Sequence, residues 1–143
     1  MCLLLFIMKP ESILETILYA NSLDEARWFY HEVLGLDMGG GMSDLAILFR
    51  IDEHHVLLIF DPKASDQPGR PVPSHGARGP GHIALRIQPD DYQSWLDRFS
   101  QFGVAIEQEI EWDRVDPGKS IYIRDPSGNS VELITADIWK GSA

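Results

Sequence analysis

The same order of elements can be read twice along this chain, and modules of that kind have to pair, within the chain or between chains, to bury their inner faces. The first half begins with the β-like run Ser12 to Tyr19. Asn21-Ser22 then offers a helix N-cap, with Asp24 and Glu25 where they favour the helix dipole. Ala26, Phe29, Tyr30, Val33 and Leu34 recur at helical spacing, and Gly35 is a natural stop. A short strand is expected around Leu36 to Met38, a turn at Gly39-Gly40-Gly41, and strands over Leu45 to Ile51 and Val56 to Phe60. The second half repeats the order. Gly81 to Ile87 reads as a strand, and Pro89-Asp90-Asp91 opens a helix carrying Tyr92, Trp95, Leu96 and Phe99. Gly103 ends that helix, Val104 to Ile110 reads as a strand, and Ser120 to Arg124 with Ser130 to Thr135 forms a closing hairpin.

The expected organisation is therefore one α+β domain of two βαβββ modules, module one about 11–61 and module two about 81–136, joined by a linker over 62–80. Asp61 to Pro80, DPKASDQPGRPVPSHGARGP, is rich enough in Pro and Gly to exclude helix or central strand. Long loops of this kind are either lids or connectors, and His75 and Arg78 give the lid reading some chemistry. Met1 to Met8, MCLLLFIM, lacks a basic leader and is too short to span a bilayer. It reads either as an upstream-extended and dispensable start or as an extra strand or interface segment.

Composition narrows the partners. The 143 residues carry a formal charge of −10, which argues against nucleic acid and gives no support for acidic membrane surfaces. The single Cys2 excludes an internal disulfide and a thiolate zinc cluster, so the cytoplasm is the default expectation.

Three residues interrupt otherwise apolar strands. Glu15 lies in the first strand of the first half, His82 in the first strand of the second, and Glu132 in the run Val131-Glu132-Leu133-Ile134. An unpaired buried carboxylate is costly, so Glu132 either faces water or has a partner that holds its charge. Superposing the halves sets Glu15 opposite His82, and Leu57 opposite Glu132. Two carboxylates and an imidazole converging in a cavity repel or desolvate one another unless a cation sits among them.

Phe29-Tyr30-His31-Glu32-Val33-Leu34-Gly35-Leu36, the strand start Gly81-His82-Ile83-Ala84, and Arg124-Asp125-Pro126-Ser127-Gly128-Asn129-Ser130-Val131-Glu132-Leu133 together resemble the vicinal oxygen chelate superfamily. That superfamily holds glyoxalases, bleomycin-resistance proteins, extradiol dioxygenases and fosfomycin-modifying enzymes. The resemblance runs from about Ile13 to Thr135 and implies paired βαβββ modules whose sheets curl into a cup around one divalent metal. It implies Glu15, His82 and Glu132 as metal ligands, with Leu57 at a fourth position that cannot coordinate. Family members of the three-ligand kind usually carry His where this chain has Glu15. One His with two carboxylates favours Mn²⁺, Fe²⁺ or Mg²⁺ over Zn²⁺, and Ni²⁺ also remains among the possible metals.

Period-two alternation from His82 sends Arg86 into the cup, either to anchor a substrate carboxylate or phosphate or to face solvent at the strand end. The same alternation sends Tyr19 inward with Glu15, and His55 inward with Leu57. Tyr19 and His55 are candidates for proton transfer or for packing. The resemblance implies a small-molecule substrate, a homodimer, and isomerase, lyase or dioxygenase chemistry on a small oxygenated metabolite. Glutathione-dependent glyoxalase chemistry is disfavoured because Leu57 replaces a ligand. The alternative is a metal-free drug- or small-molecule-binding protein of the bleomycin-resistance type.

Overall fold

The computed structural model describes residues 8–142; the expectation for Met1 to Met8 falls almost wholly outside the described residues. Strand β1 (Glu15–Tyr19) leads into α1 (Leu23–Arg27), whose N-cap Ser22 accepts the Glu25 amide. The helix then widens by one residue per turn over Trp28–Val33, where the Leu34 amide reaches back to the Phe29 carbonyl at 2.9 Å. Gly35 stops it with a φ of +74°, a backbone that side-chain-bearing residues avoid. β2 (Asp37–Met42), β3 (Ala46–Arg50) and β4 (Val56–Phe60) complete the first sheet in the order β1-β4-β3-β2. The second half gives β5 (His82–Arg86), β6 (Gln108–Trp112), β7 (Gly118–Arg124) and β8 (Ser130–Ile134) in the matching order β5-β8-β7-β6. The duplicated pattern is thus a duplicated architecture.

Three expectations need correction. Gly39-Gly40-Gly41 lies inside β2, where the register slips between Met38 and Met42, so the glycines make a bulge and not the turn. The linker starts with a short helix, α2 (Pro62–Ser65), against the expectation that its Pro and Gly content excludes one. Asp61 caps it by accepting the Lys63 amide, and Pro62 occupies the first turn, where its missing N–H costs nothing. In the second half the strand expected at Val104 to Ile110 begins only at Gln108.

Each sheet packs one face on a common core. Leu18, Ile47, Phe49, Leu57 and Ile59 from the first sheet meet Phe29, Tyr30 and Val33 from the first helix. Ile121, Ile123, Val131 and Leu133 from the second sheet meet Phe99 of α3 (Tyr92–Gln101). Polar contacts tie the halves together. The buried Tyr30 hydroxyl donates to Asp125 at 2.8 Å. Asn129 donates to the Tyr19 carbonyl and accepts from the Gly81 amide. Arg98 of α3 caps the first helix by donating to the Glu32 and Val33 carbonyls.

Register decides which residues occupy the other, outward faces. Glu15 pairs with Val56, Ile17 with Leu58 and Tyr19 with Phe60, while His82 pairs with Ser130, Ala84 with Glu132 and Arg86 with Ile134. The residue of the first module equivalent to Glu132 is therefore Leu58. Leu57, fully buried, points the opposite way into the core. The expected pairing of Leu57 with Glu132 is one residue out of step, and a one-residue slip turns every side chain to the other face.

Candidate metal centre

His82 opens β5 and Glu132 lies on the neighbouring β8, on the same outward face. Their side chains meet with His82 Nε2 3.3 Å from Glu132 Oε2. The other imidazole nitrogen, Nδ1, is 3.0 Å from Ser130 Oγ. With the ring proton on Nδ1 and donated to Ser130, Nε2 keeps a lone pair 3.3 Å from Oε2. Glu132 is only 5% exposed, so its charge is a buried one with named partners. Ser120 Oγ donates to Oε1 at 2.5 Å, and the Trp112 indole N–H donates to Ser120 Oγ at 2.7 Å. Tyr122, paired directly with Glu132 across β7 and β8, lies roughly parallel to the His82 ring at 6.4 Å. Burial, then hydrogen bonding to Glu132 and its charge, raise the Tyr122 phenol above its ordinary range.

The pair sits at one end of a cavity of about 440 Å³ whose lining includes Ala84, Ile134, Ile138 and Trp139. Arg86 lines it too, at the far end of β5, with its guanidinium 3.7 Å from Asp116. A wider cleft of about 540 Å³ lies between Leu34-Gly35 and α3. Its Arg98 is committed to capping the Glu32 and Val33 carbonyls.

The other predicted site residues lie elsewhere. Glu15 is exposed at the start of β1, and among the described residues no three His, Cys, Asp or Glu side chains come together within the chain. Tyr19 faces outward, four residues further along β1, about 13 Å at the usual rise. Its hydroxyl is 2.8 Å from His75 Nδ1, and His75 packs edge-on against Phe60 at 4.7 Å. His75 thus pins the linker over the Tyr19–Phe60 end of the first sheet. His55 precedes β4 in a tight turn with both its amide and its ring near Asp52, at 2.9 and 3.4 Å. It shares the alternation of Leu57 and Ile59, so the expectation that it joins Tyr19 on the cup face is corrected by the same one-residue shift.

Ser120, Tyr122 and Ser130 were not anticipated. Their signal was parity: Ser120, Tyr122 and Glu132 share one face of the closing hairpin, and Ser120 is a small polar residue in a strand of isoleucines.

The sequence matches the model of the glyoxalase/bleomycin resistance protein/dioxygenase superfamily over residues 12–133. The chain belongs to that family. It is similar to the crystal structure of a lactoylglutathione lyase from Agrobacterium tumefaciens, with 36% identity over 92% of this chain and 98% of that one, at a TM-score of 0.83. A glyoxalase/dioxygenase from Nostoc punctiforme (19% identity, 92% and 97% covered, TM-score 0.66) and a fosfomycin resistance protein from Mesorhizobium loti (18%, 94% and 100%, 0.64) share the fold. No curated protein matches the sequence. No helix among the described residues is long and apolar enough to cross a membrane.

Proposed function

We propose that the protein is a metal-dependent enzyme of the vicinal oxygen chelate type, acting on a small oxygenated metabolite. The observation that carries this reading is the His82–Glu132 pair, 3.3 Å apart at one end of a largely apolar cavity. An imidazole nitrogen and a carboxylate oxygen at that separation fit two neighbouring positions around one divalent cation, for which ligand distances are about 2.0–2.2 Å. Ser130 steers the imidazole, and Ser120 steers the carboxylate. These are the outer contacts that metal-ligating side chains characteristically have. Glu15 supplies the third ligand from a second copy of the chain in a homodimer, since the chain's own fold leaves it exposed and apart.

The cation, when bound, supplies Lewis-acid stabilisation of charge developing on substrate oxygens. The protein's own groups do the rest. Ala84, Ile134 and Ile138 exclude water from the apolar part of the substrate, and Arg86 is placed to receive an anionic group in competition with Asp116. Tyr122 keeps its proton well above neutral pH and is a hydroxyl donor beside Glu132. Leu58, at the position equivalent to Glu132, leaves three protein ligands. The named activity of the Agrobacterium relative makes lyase or isomerase chemistry the first to assay.

The test is thermal melting after chelator stripping, with Mn²⁺, Fe²⁺, Ni²⁺, Zn²⁺ and Mg²⁺ added singly. Binding raises the melting point by mass action, worth about 2.7 kcal/mol at a hundredfold excess over Kd. The effect weakens on acidification because only neutral imidazole coordinates. His82→Ala and Glu132→Gln abolish it. A wild-type melting point that no metal moves sinks the reading.

A further inference from the structure

The hydrogen-bond chain behind Glu132 has only one possible direction. The Trp112 indole is a donor and nothing else, and an ionised carboxylate is an acceptor and nothing else. Ser120, standing between them at 2.7 and 2.5 Å, therefore accepts from the indole and spends its single proton on Glu132 Oε1. Ser120 is fully buried, so water does not compete for that proton. Oε1 is occupied from behind, and Oε2, 3.3 Å from His82 Nε2, is the oxygen left facing the cup.

We propose that Ser120 and Trp112 are positioning residues that hold the Glu132 carboxylate so that Oε2 is the oxygen presented, beside His82, to a divalent cation. The proposal rests on the metal-dependent reading above and adds the pair that orients its buried ligand. Sheet geometry supports it. Ser120 lies on β7, two residues from Tyr122, which is paired with Glu132, and Trp112 lies on β6, two residues from Ile110, which is paired with Ser120. Three adjacent strands thus fix one carboxylate, and its orientation is set before any cation arrives. Loss of a contact of this kind behind a metal ligand lowers affinity by about 10- to 100-fold.

A purely structural role, satisfying a buried carboxylate, predicts something different. It lowers the melting point of the metal-free protein and leaves the affinity of the folded protein for metal unchanged. The experiment is calorimetric titration of Mn²⁺ into chelator-stripped full-length protein, with the metal-free melting point measured in parallel. Ser120→Ala is expected to weaken Mn²⁺ binding about 10- to 100-fold. Trp112→Phe, at a partly exposed site, is expected to weaken it by a smaller factor. The double variant should bind as Ser120→Ala alone does, because the two act through one chain of bonds. Tyr92→Phe is the control. It removes a similar hydroxyl-to-carboxylate bond, 2.7 Å to Glu109, from the opposite face of the sheet, and should leave Mn²⁺ affinity unchanged.

If Ser120→Ala does not fold, Trp112→Phe decides alone. Wild-type affinity in both variants, or in Trp112→Phe as the sole folded one, overturns the positioning role while leaving the metal reading intact. Absence of wild-type binding for Mn²⁺ and for each of Fe²⁺, Ni²⁺, Zn²⁺ and Mg²⁺ titrated in the same way overturns both, and is recognised because the wild type itself fails.

Discussion

A buried carboxylate needs partners that the local sequence seldom names, and two such residues carry much of this molecule. Glu132 was conspicuous in the sequence because it broke an apolar run, and His82 because it opened one. Ser120, the residue that holds Glu132 in place, looked like an ordinary strand residue. The second case is Asp125, which reads as turn chemistry in Asp125-Pro126-Ser127-Gly128-Asn129. Its carboxylate does organise that turn, accepting the Ser127 and Asn129 amides at 2.9 Å each. It also receives the hydroxyl of the fully buried Tyr30 across the junction of the two halves. Tyr30→Phe should cost about 1.5–3 kcal/mol, the usual range for a hydrogen bond to a charged group. Its pH signature is specific. Burial first, then the charge and hydrogen bond of Asp125, raise the Tyr30 phenol above the ordinary value of about 10. Above that pH the unfolded chain gives up this proton and the native chain keeps it, so stability falls as pH rises. The contribution is fully present at neutral pH and is lost in the alkaline range. Denaturant unfolding of wild type and Tyr30→Phe from pH 7 to 11 should show the gap between them closing as pH increases.

Element order could be read from hydrophobic periodicity because each strand and helix has a face that the core demands. Register could not, because it is a relation between strands, and the first sheet shows how much one residue matters. The run Val56-Leu57-Leu58-Ile59 is apolar on both parities, so nothing in it says which leucine faces the core. Glu132 breaks the symmetry in the second sheet, and Leu58 carries no such mark in the first. The same gap in information hid the bulge at Gly39-Gly40-Gly41 and left His55 on the wrong side. The two leucines now make opposite predictions. Leu57→Ala should cost about 2–5 kcal/mol, as for a buried leucine. Leu57→Glu should prevent folding, because it places an unpaired charge in the core. Leu58→Glu, half-buried on the outward face, should fold and supply a fourth ligand, a third carboxylate, at the position equivalent to Glu132. Melting curves of the three variants, with Mn²⁺ added to the last, separate these outcomes. Near-equal melting points for Leu57→Glu and Leu58→Glu would put the register in error.

At the scale of the whole molecule, each sheet packs one face on the core, and among the described residues β1 and β5, like β2 and β6, are edge strands. Exposed edges invite pairing with another chain. Just ahead of β1, Ile13 is 63% and Leu14 70% exposed, an apolar lead-in beside the very strand that carries Glu15. A second copy that brought its β1 alongside β5 would cover these groups and place Glu15 near His82 and Glu132 of its neighbour. Light scattering at micromolar concentration should then give the mass of a dimer. The stronger test asks where the ligands come from. Glu15→Ala and Glu132→Ala homodimers should each lose high-affinity Mn²⁺ binding. When the two variants are co-expressed with different tags and the mixed dimer is isolated, the shared-site arrangement makes one site that lacks both carboxylates and one that has both. The mixed dimer should therefore bind one Mn²⁺ with wild-type affinity. If instead each chain assembled its own site, every site in the mixed dimer would lack one carboxylate, and no wild-type binding would return. A mixed dimer without a tight site would thus reject Glu15 as the partner's contribution, whatever the mass by light scattering.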